Sequence, residues 1–237
     1  MLRYEVADDV AAGLRERKKR ATRRALVVAA LESFTREEPD HVTIDDLCAQ
    51  ADVSKRTFFR YFSSKQDAAM TPLKDMWRAF ARRLAEEPMP GDADTPLLLS
   101  LSDVLAAAIR EQERADGEWT RFTRAALLLD RTHSSFAAHN LQFCDHTVAE
   151  VLAILSPAPG ATADEERLVL LLDMLVVASR SAQRAWLPRT GPTADADGLI
   201  DLVRQRVSIL PDSLRLTTSS VRPGSARRAP VRRDAPP

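Results

Sequence analysis

The stretch VTIDDLCAQADVSKRTFFRYFSSKQD, from Val42 to Asp67, decides the fold of the N-terminal part of this chain. It predicts two short helices joined by a tight turn and followed by a third helix. Thr43 can cap the first helix, with Asp46 three residues later to close a capping box, and Ser54 can cap the second. A short helix that is braced by a preceding helix and carries cations in its first turns is suited to the major groove of DNA.

The second short helix divides its side chains between an inner and an outer face. Phe58 and Phe62, four residues apart, are predicted to pack in the core. The outer face is predicted to carry Lys55, Arg56, Thr57, Phe59, Arg60 and Tyr61. Asp52 stands in the turn, and aspartate adopts a left-handed backbone conformation more readily than most residues.

This segment resembles the DNA-binding region of the TetR family of transcriptional regulators. The family pattern is matched at Thr43, Ile44, Leu47, Ala51, Val53, Ser54, Thr57, Phe58, Phe59, Tyr61, Phe62, Ser64 and Lys65. The chain departs from the pattern at Asp52, where the family usually has a glycine. The resemblance covers about residues 20–70. It implies a homodimer that binds a palindromic DNA operator and carries a larger helical domain for a small effector.

The resemblance and the side-chain chemistry together predict the DNA contacts. Arg56 is the candidate guanine reader, since its guanidinium fork can bond O6 and N7 together. Tyr61 and Lys65 are candidates for phosphate contacts, with simple packing as the alternative for Tyr61. The cationic run at the start of the first helix contacts phosphate or groove, or is a solvated helix face. The full predicted set is Arg17, Lys18, Arg20, Arg24, Thr43, Ser54, Lys55, Arg56, Thr57, Phe59, Arg60, Tyr61 and Lys65.

Composition predicts an all-α protein, because aromatic residues make up only 5% of the 237 residues and no alternating β-branched run stands out. No apolar stretch reaches membrane-spanning length and no secretory signal opens the chain, so we expect a cytoplasmic protein without a membrane partner. The net charge is zero. Cations are nevertheless concentrated in residues 15–24 and 54–65, where a DNA-binding domain needs them.

Helical periodicity and chain-breaking residues divide the chain into four parts. We expect a flexible leader over residues 1–14 and a three-helix, helix-turn-helix DNA-binding domain over residues 15–63. An effector-binding and dimerisation domain is expected over residues 64–215, and a disordered basic tail over residues 216–237. The tail is either solvated or an arm that adds non-specific attraction to phosphates.

In the larger domain, a connecting helix is predicted over residues 64–87, and Pro72 should kink or restart it. Pro211 is expected to end the last helix, and a proline-rich run at residues 156–160 should separate two others. The remaining helices are predicted over residues 97–115, 118–129, 131–155, 164–187 and 194–210.

An effector cavity in the larger domain is implied by the resemblance. The rings, histidine and methionine of this region are candidates for its walls: Trp119, Phe122, Phe136, His139, Phe143 and Met174. Apolar walls with few polar groups suit a small hydrophobic effector with one polar end. The alternative is that an aromatic stripe at helical spacing is simply core.

The resemblance also places a dimer interface at residues 164–187 and the last helix. The apolar residues of 164–187 cover more than one face, which exceeds what packing within one subunit needs. The candidate interface residues are Leu168, Leu172, Leu175, Ser179 and Trp186. A fully buried central helix of a monomer is the alternative.

Together these features predict a ligand-responsive transcriptional regulator, most simply a repressor, whose partners are double-stranded operator DNA, a second copy and an unknown effector. No nucleophile–base arrangement or convincing set of metal ligands can be read from the spacing of Cys144 and the histidines. We therefore expect no catalytic residue, metal or cofactor. An architectural DNA-binding protein without an effector is the alternative function.

Overall fold

A computed structural model describes residues 2–155 and 163–217 of the chain. Within those ranges all regular structure is helical, with ten α-helices and one 3₁₀ turn, which confirms the predicted all-α class. The helices are α1 (Leu2–Arg36), α2 (Ile44–Gln50), α3 (Lys55–Tyr61), α4 (Lys65–Ala69), α5 (Thr71–Glu86), α6 (Leu97–Ala115), α7 (Trp119–Thr132), α8 (Ser134–Leu155), α9 (Ala163–Trp186) and α10 (Ala196–Ser213). We call α1–α3 the head and α5–α10 the body.

The local signals around α2 and α3 are confirmed. The Thr43 hydroxyl accepts from the backbone N–H of Asp46, and the Asp46 carboxylate accepts from the backbone N–H of Thr43 at 2.8 Å. The Ser54 hydroxyl caps α3 by accepting from the Thr57 N–H at 3.1 Å. Asp52 has φ +51°, so the turn between the two helices uses an aspartate in the left-handed region.

Pro72 restarts the connecting helix, as predicted. α4 ends at Ala69, and Pro72 occupies the first turn of α5, where a missing backbone N–H costs no helical hydrogen bond. Ser64 and Asp67 form only half of a capping box at the start of α4. The Ser64 hydroxyl accepts from the Asp67 N–H, but the Asp67 carboxylate accepts from Ser63.

Two helix ends differ from the sequence prediction. α1 begins at Leu2, inside the predicted leader, since residues 2–36 contain no proline and the single Gly13 does not end the helix. Pro211 lies in the last turn of α10, which continues two residues further to Ser213. The predicted break at residues 156–160 and all but the first two residues of the predicted tail lie outside the described residues.

The core of the body corrects the predicted dimer interface. Leu172, Leu175, Ser179 and Trp186 are at most 2% exposed within a single chain, and Trp186 donates from Nε1 to the Asp195 carbonyl at 2.9 Å. These side chains of α9 pack inward because α9 lies against α8, α10 and α6. Only Leu168, which is half-buried, is partly open to another subunit.

Leu175→Ala should therefore lower the free energy of unfolding by about 2–5 kcal/mol, since it opens a cavity in a packed core. Leu141→Ala is the matched control, because Leu141 on α8 is 51% exposed and exposed substitutions change stability by only about 0.5 kcal/mol. Urea denaturation of both variants measures the difference. Equal stabilities for the two variants would contradict this description of the core.

Candidate nucleic-acid interface and its connection to the body

α3 presents a polar face to the outside while its aromatic residues anchor it. Phe58 and Phe62 are 0% and 3% exposed and lie 5.7 Å apart between ring centroids. Phe59, in contrast, is 54% exposed, so its ring is available to a thymine methyl or a deoxyribose. The caps on both short helices and the buried rings hold the exposed face of α3 in one orientation.

The first turn of α3 carries two cations in different states. Lys55 pairs with Asp45 of α2 at 2.8 Å, with both side chains largely exposed. Such a surface pair contributes little stability and is readily exchanged for a phosphate contact. Arg56 is exposed and has no hydrogen-bonding or ionic partner among the described residues, so its guanidinium fork is free to meet a base edge.

A concave basic surface joins α1 to α3. Arg15, Lys18 and Lys19 from α1 line it together with Arg60 and Tyr61 from α3 around about 450 Å³. The Arg60 guanidinium lies over the Tyr61 ring, 5.0 Å from its centroid. Cations from two helices on one groove would attract a phosphate backbone that runs beside α3. We call this surface the basic groove.

Arg17, Lys18 and Arg20 are exposed, as predicted for phosphate contacts. Arg24 is different, because its guanidinium donates to Asp116 at 2.7 Å and to Glu118 at 2.6 Å in the body. Arg24 therefore holds the head to the body, in place of the predicted DNA contact.

Lys65 is also engaged within the chain. Its Nζ donates to the carbonyls of Pro39 and Val42, at 2.5 and 2.9 Å. These carbonyls belong to the loop between α1 and α2, where an ammonium group satisfies acceptors that no helix reaches. The structure thus gives Lys65 a role in fixing this loop in place of the predicted phosphate clamp.

A polar junction connects the end of the head to the body. The Asp67 carboxylate accepts from the backbone N–H and hydroxyl of Ser63, at 2.8 and 2.9 Å, and from Lys74 Nζ at 2.5 Å. Lys74 is 6% exposed. Its Nζ lies 3.2 Å from His139 Nε2 and 5.0 Å from the Phe143 ring centroid. We call Asp67, Lys74 and His139 the Lys74 junction.

The charges of the Lys74 junction are set by its surroundings. Burial alone would raise the pKa of Asp67, but the hydrogen bonds from Lys74 and Ser63 outweigh burial and lower it. Burial and the positive charge of Lys74 lower the pKa of His139. A neutral His139 can then accept a hydrogen bond from the Lys74 ammonium group.

The six predicted effector residues do not surround one cavity. Trp119 donates from Nε1 to the Pro72 carbonyl at 3.1 Å, and the Phe136 ring meets Phe34 of α1 edge to face at 5.3 Å. Phe122 lies under the Arg24 guanidinium. Phe122 and Phe136 therefore hold the head on the body, whereas Trp119 joins α7 to α5 within the body. His139 and Phe143 surround Lys74, and Met174 is half-buried on α9.

Trp119 and Phe122 do line a groove of about 360 Å³ between α1 and the body. Its walls include the ion pair of Arg23 with Asp75, at 2.6 and 2.7 Å. Sequence reasoning missed this interdomain ion pair and Lys74. One signal was available for Lys74, since a lysine next to Leu73 in the otherwise apolar stripe of α5 is typical of a buried, paired cation.

Cys144 is a buried thiol of α8. Burial raises the pKa of Cys144 to about 11, so this thiol is protonated at neutral pH and is a poor nucleophile. No group of three histidine, cysteine, aspartate or glutamate residues is placed to hold a metal ion in that part of the chain. No described helix is long and apolar enough to cross a membrane.

The arrangement is that of a helix-turn-helix DNA-binding protein, and the two sequence comparisons agree with it. Residues 26–67 match the family described as "Bacterial regulatory proteins, tetR family". The HTH-type transcriptional regulator TcmR of Streptomyces glaucescens is 26% identical over 185 residues, 78% of this chain and 81% of that protein. A crystal structure of a Mesorhizobium loti protein described as a TetR-family transcriptional regulator covers 82% of this chain and 97% of its own, with 13% identity and a TM-score of 0.44.

The N-terminal segment of the chain, residues 26–67, is therefore similar to the DNA-binding segment of the TetR family of bacterial regulatory proteins. The helix-turn-helix lies within Val42–Asp67. The matched residues 26–67 run from α1 through α3 to Asp67 of the Lys74 junction.

The Lys74 junction should make stability depend on pH through His139. Because the folded-state pKa of His139 is lowered, the unfolded chain takes up this proton first as pH falls below about 6.5. The stability contributed by neutral His139 is therefore complete above that pH and is lost as pH falls through the folded pKa. His139→Gln keeps a hydrogen-bond acceptor for Lys74 but does not titrate, so its free energy of unfolding should fall less steeply with pH.

Urea denaturation at a series of pH values between about 7 and 5 measures this slope. His146→Gln, at an exposed histidine on the same helix, is the control and should follow the wild type. A His139→Gln protein with the wild-type slope would show that this histidine is not coupled to folding.

Proposed function

We propose that the protein is a ligand-responsive repressor that binds a palindromic operator as a homodimer, with α3 in the major groove. The observation that carries the proposal is the exposed face of α3, with the unpartnered Arg56, beside the basic groove. Arg56 supplies sequence readout, and the cations of the groove supply phosphate attraction. Because a dimer has two heads, the operator should contain two half-sites about 34–36 Å or a multiple of that apart.

Release by an effector is supported by how firmly the head is attached to the body. Ion pairs Arg23–Asp75 and Arg24–Asp116 connect α1 to α5 and to the loop between α6 and α7. The Lys74 junction connects the end of α3 and α4 to α5 and α8. A ligand that shifts the helices of the body therefore shifts the heads, and it need only bind one of the two arrangements better. An architectural protein would not require this attachment.

Dimerisation is supported by the outward face of α9. Leu170 and Val177, seven residues apart, are each 58% exposed on this helix. Ile209 of α10, the helix packed beside α9, is 45% exposed. Large apolar side chains exposed at helical spacing are typical of a self-association surface. A two-fold axis at this face would pack the same patch of each copy against the other.

The function is tested by Arg56→Ala on the operator selected from DNA upstream of the gene. Loss of the bidentate contact should weaken binding by about 1–3 kcal/mol and relax the preference at one base position. Fluorescence anisotropy on the operator and on its single-base variants measures both effects. Arg110→Ala is the control, since Arg110 is an exposed arginine of the body that pairs with Asp197. Unchanged affinity and preference in Arg56→Ala would remove this residue from the interface, and absence of any selected operator would overturn the function.

The dimer is tested by Val177→Asp. A charge at the centre of the proposed interface would be buried without a partner, so the variant should be monomeric and should lose operator affinity while keeping its helical content. Light scattering and circular dichroism measure both properties. Leu128→Asp, at a 52% exposed leucine of α7, is the control and should remain dimeric. A wild-type protein that is monomeric at micromolar concentration contradicts the proposal.

A further inference from the structure

Three arginines meet at a pocket between α7 and α9 that none of the features above uses. Arg131 from α7 and Arg180 and Arg184 from α9 line a space of about 200 Å³. Gln183, Asp130, Leu127 and Leu187 complete its lining.

The charge of this pocket is unbalanced. Its only lining carboxylate, Asp130, accepts a hydrogen bond from the Asn140 amide at 2.9 Å. Arg131, Arg180 and Arg184 make no ion pair with any carboxylate of the described residues. Some other arginines of the body are paired, since Arg83 lies against Glu111 and Arg204 against Asp103. Three cations around one small space repel each other, so an anion placed among them is strongly favoured.

The pocket also offers a polar group that is not fully used. Gln183 is 6% exposed, and its amide nitrogen lies 3.5 Å from the Ser179 hydroxyl, at the outer limit of a hydrogen bond. A buried amide is expected to find closer partners. An oxygen of a bound anion would be such a partner for the amide N–H groups.

We propose that this pocket binds a small organic anion, whose carboxylate or phosphate group is held by Arg131, Arg180 and Arg184 with Gln183. An apolar portion of the ligand contacts Leu127 and Leu187. Guanidinium groups are suited to this because they bond two oxygens of a carboxylate or phosphate together. Most ligand sites have volumes of about 300–1,000 Å³, and this pocket is smaller. It can therefore hold the charged end of the ligand and a short apolar portion.

The position of the pocket gives the anion a route to the head. The other end of α7 carries Trp119 and Phe122, which hold Pro72 and Arg24. A ligand that changes the packing of α7 against α9 would therefore change how α1 packs on the body. This consequence rests on the proposed repressor function, whereas binding of the anion does not.

Calorimetry with benzoate and phenyl phosphate on the full-length protein tests the pocket, with benzamide as the neutral analogue. We expect saturable binding of at least one anion at one site per chain and no binding of benzamide. The anion that binds more tightly identifies the charged group of the ligand as a carboxylate or a phosphate. Arg180→Gln and Arg184→Gln should each weaken binding at least tenfold. Arg204→Gln, which removes an arginine already paired with Asp103, should bind as the wild type does.

Absence of binding for both anions at millimolar concentration, equal binding of benzamide, or unchanged affinity in both pocket variants would overturn the site. Arg184→Gln alters an exposed side chain, so it remains informative if Arg180→Gln fails to fold. A change in operator affinity on adding the anion identifies the pocket as the effector site. If the anion binds and operator affinity is unchanged, the anion site stands and its link to DNA binding is refuted.

Discussion

The buried ion pair between Lys74 and Asp67 is the contact on which the orientation of the head depends. Asp67 is near the start of α4 and accepts from Ser63, just after α3, while Lys74 reaches it from α5. Removing one partner would leave an uncompensated charge inside the protein, which costs several kcal/mol. Such a pair contributes little net stability over an apolar packing, but it accepts only one geometry. We infer that this ion pair sets the angle of α3 relative to the body.

α1 is part of the head but also contacts the body, and this explains where the large aromatic residues lie. One face of α1 packs within the head through Leu26 and Ala30. Phe34 meets Phe136 of the body, while Arg23 and Arg24 reach carboxylates on α5 and at the start of α7. Scarce rings are concentrated at this joint because they bury much area with little conformational freedom to lose. They are therefore not available to line a wide central cavity.

The charges of the chain follow the same division of roles. Cations that find a carboxylate inside the chain, such as Arg23, Arg24 and Arg204, fix helices relative to one another. Arginines without a carboxylate partner include Arg56 on the face of α3, Arg60 in the basic groove beside it, and the three arginines of the pocket between α7 and α9. A zero net charge conceals this separation, since both sites create a local positive field.

The sequence by itself determined the elements that depend on neighbouring residues. The Thr43 capping box, the cap at Ser54, the left-handed Asp52 and the restart at Pro72 were all predicted, because each is set by contacts within a few residues. The family pattern lies in this same segment, so the fold class and the family match of residues 26–67 were predictable with it.

Only the tertiary structure decided which side chains meet across long separations. Arg24 with Asp116 and Lys65 with Pro39 pair residues far apart in sequence, and periodicity says nothing about such partners. Leu175 and Trp186 lie inside the subunit because α10 and α8 cover α9, which an apolar helix alone cannot reveal. A helical pattern shows that a face will be buried, whereas the neighbouring helices determine what buries it.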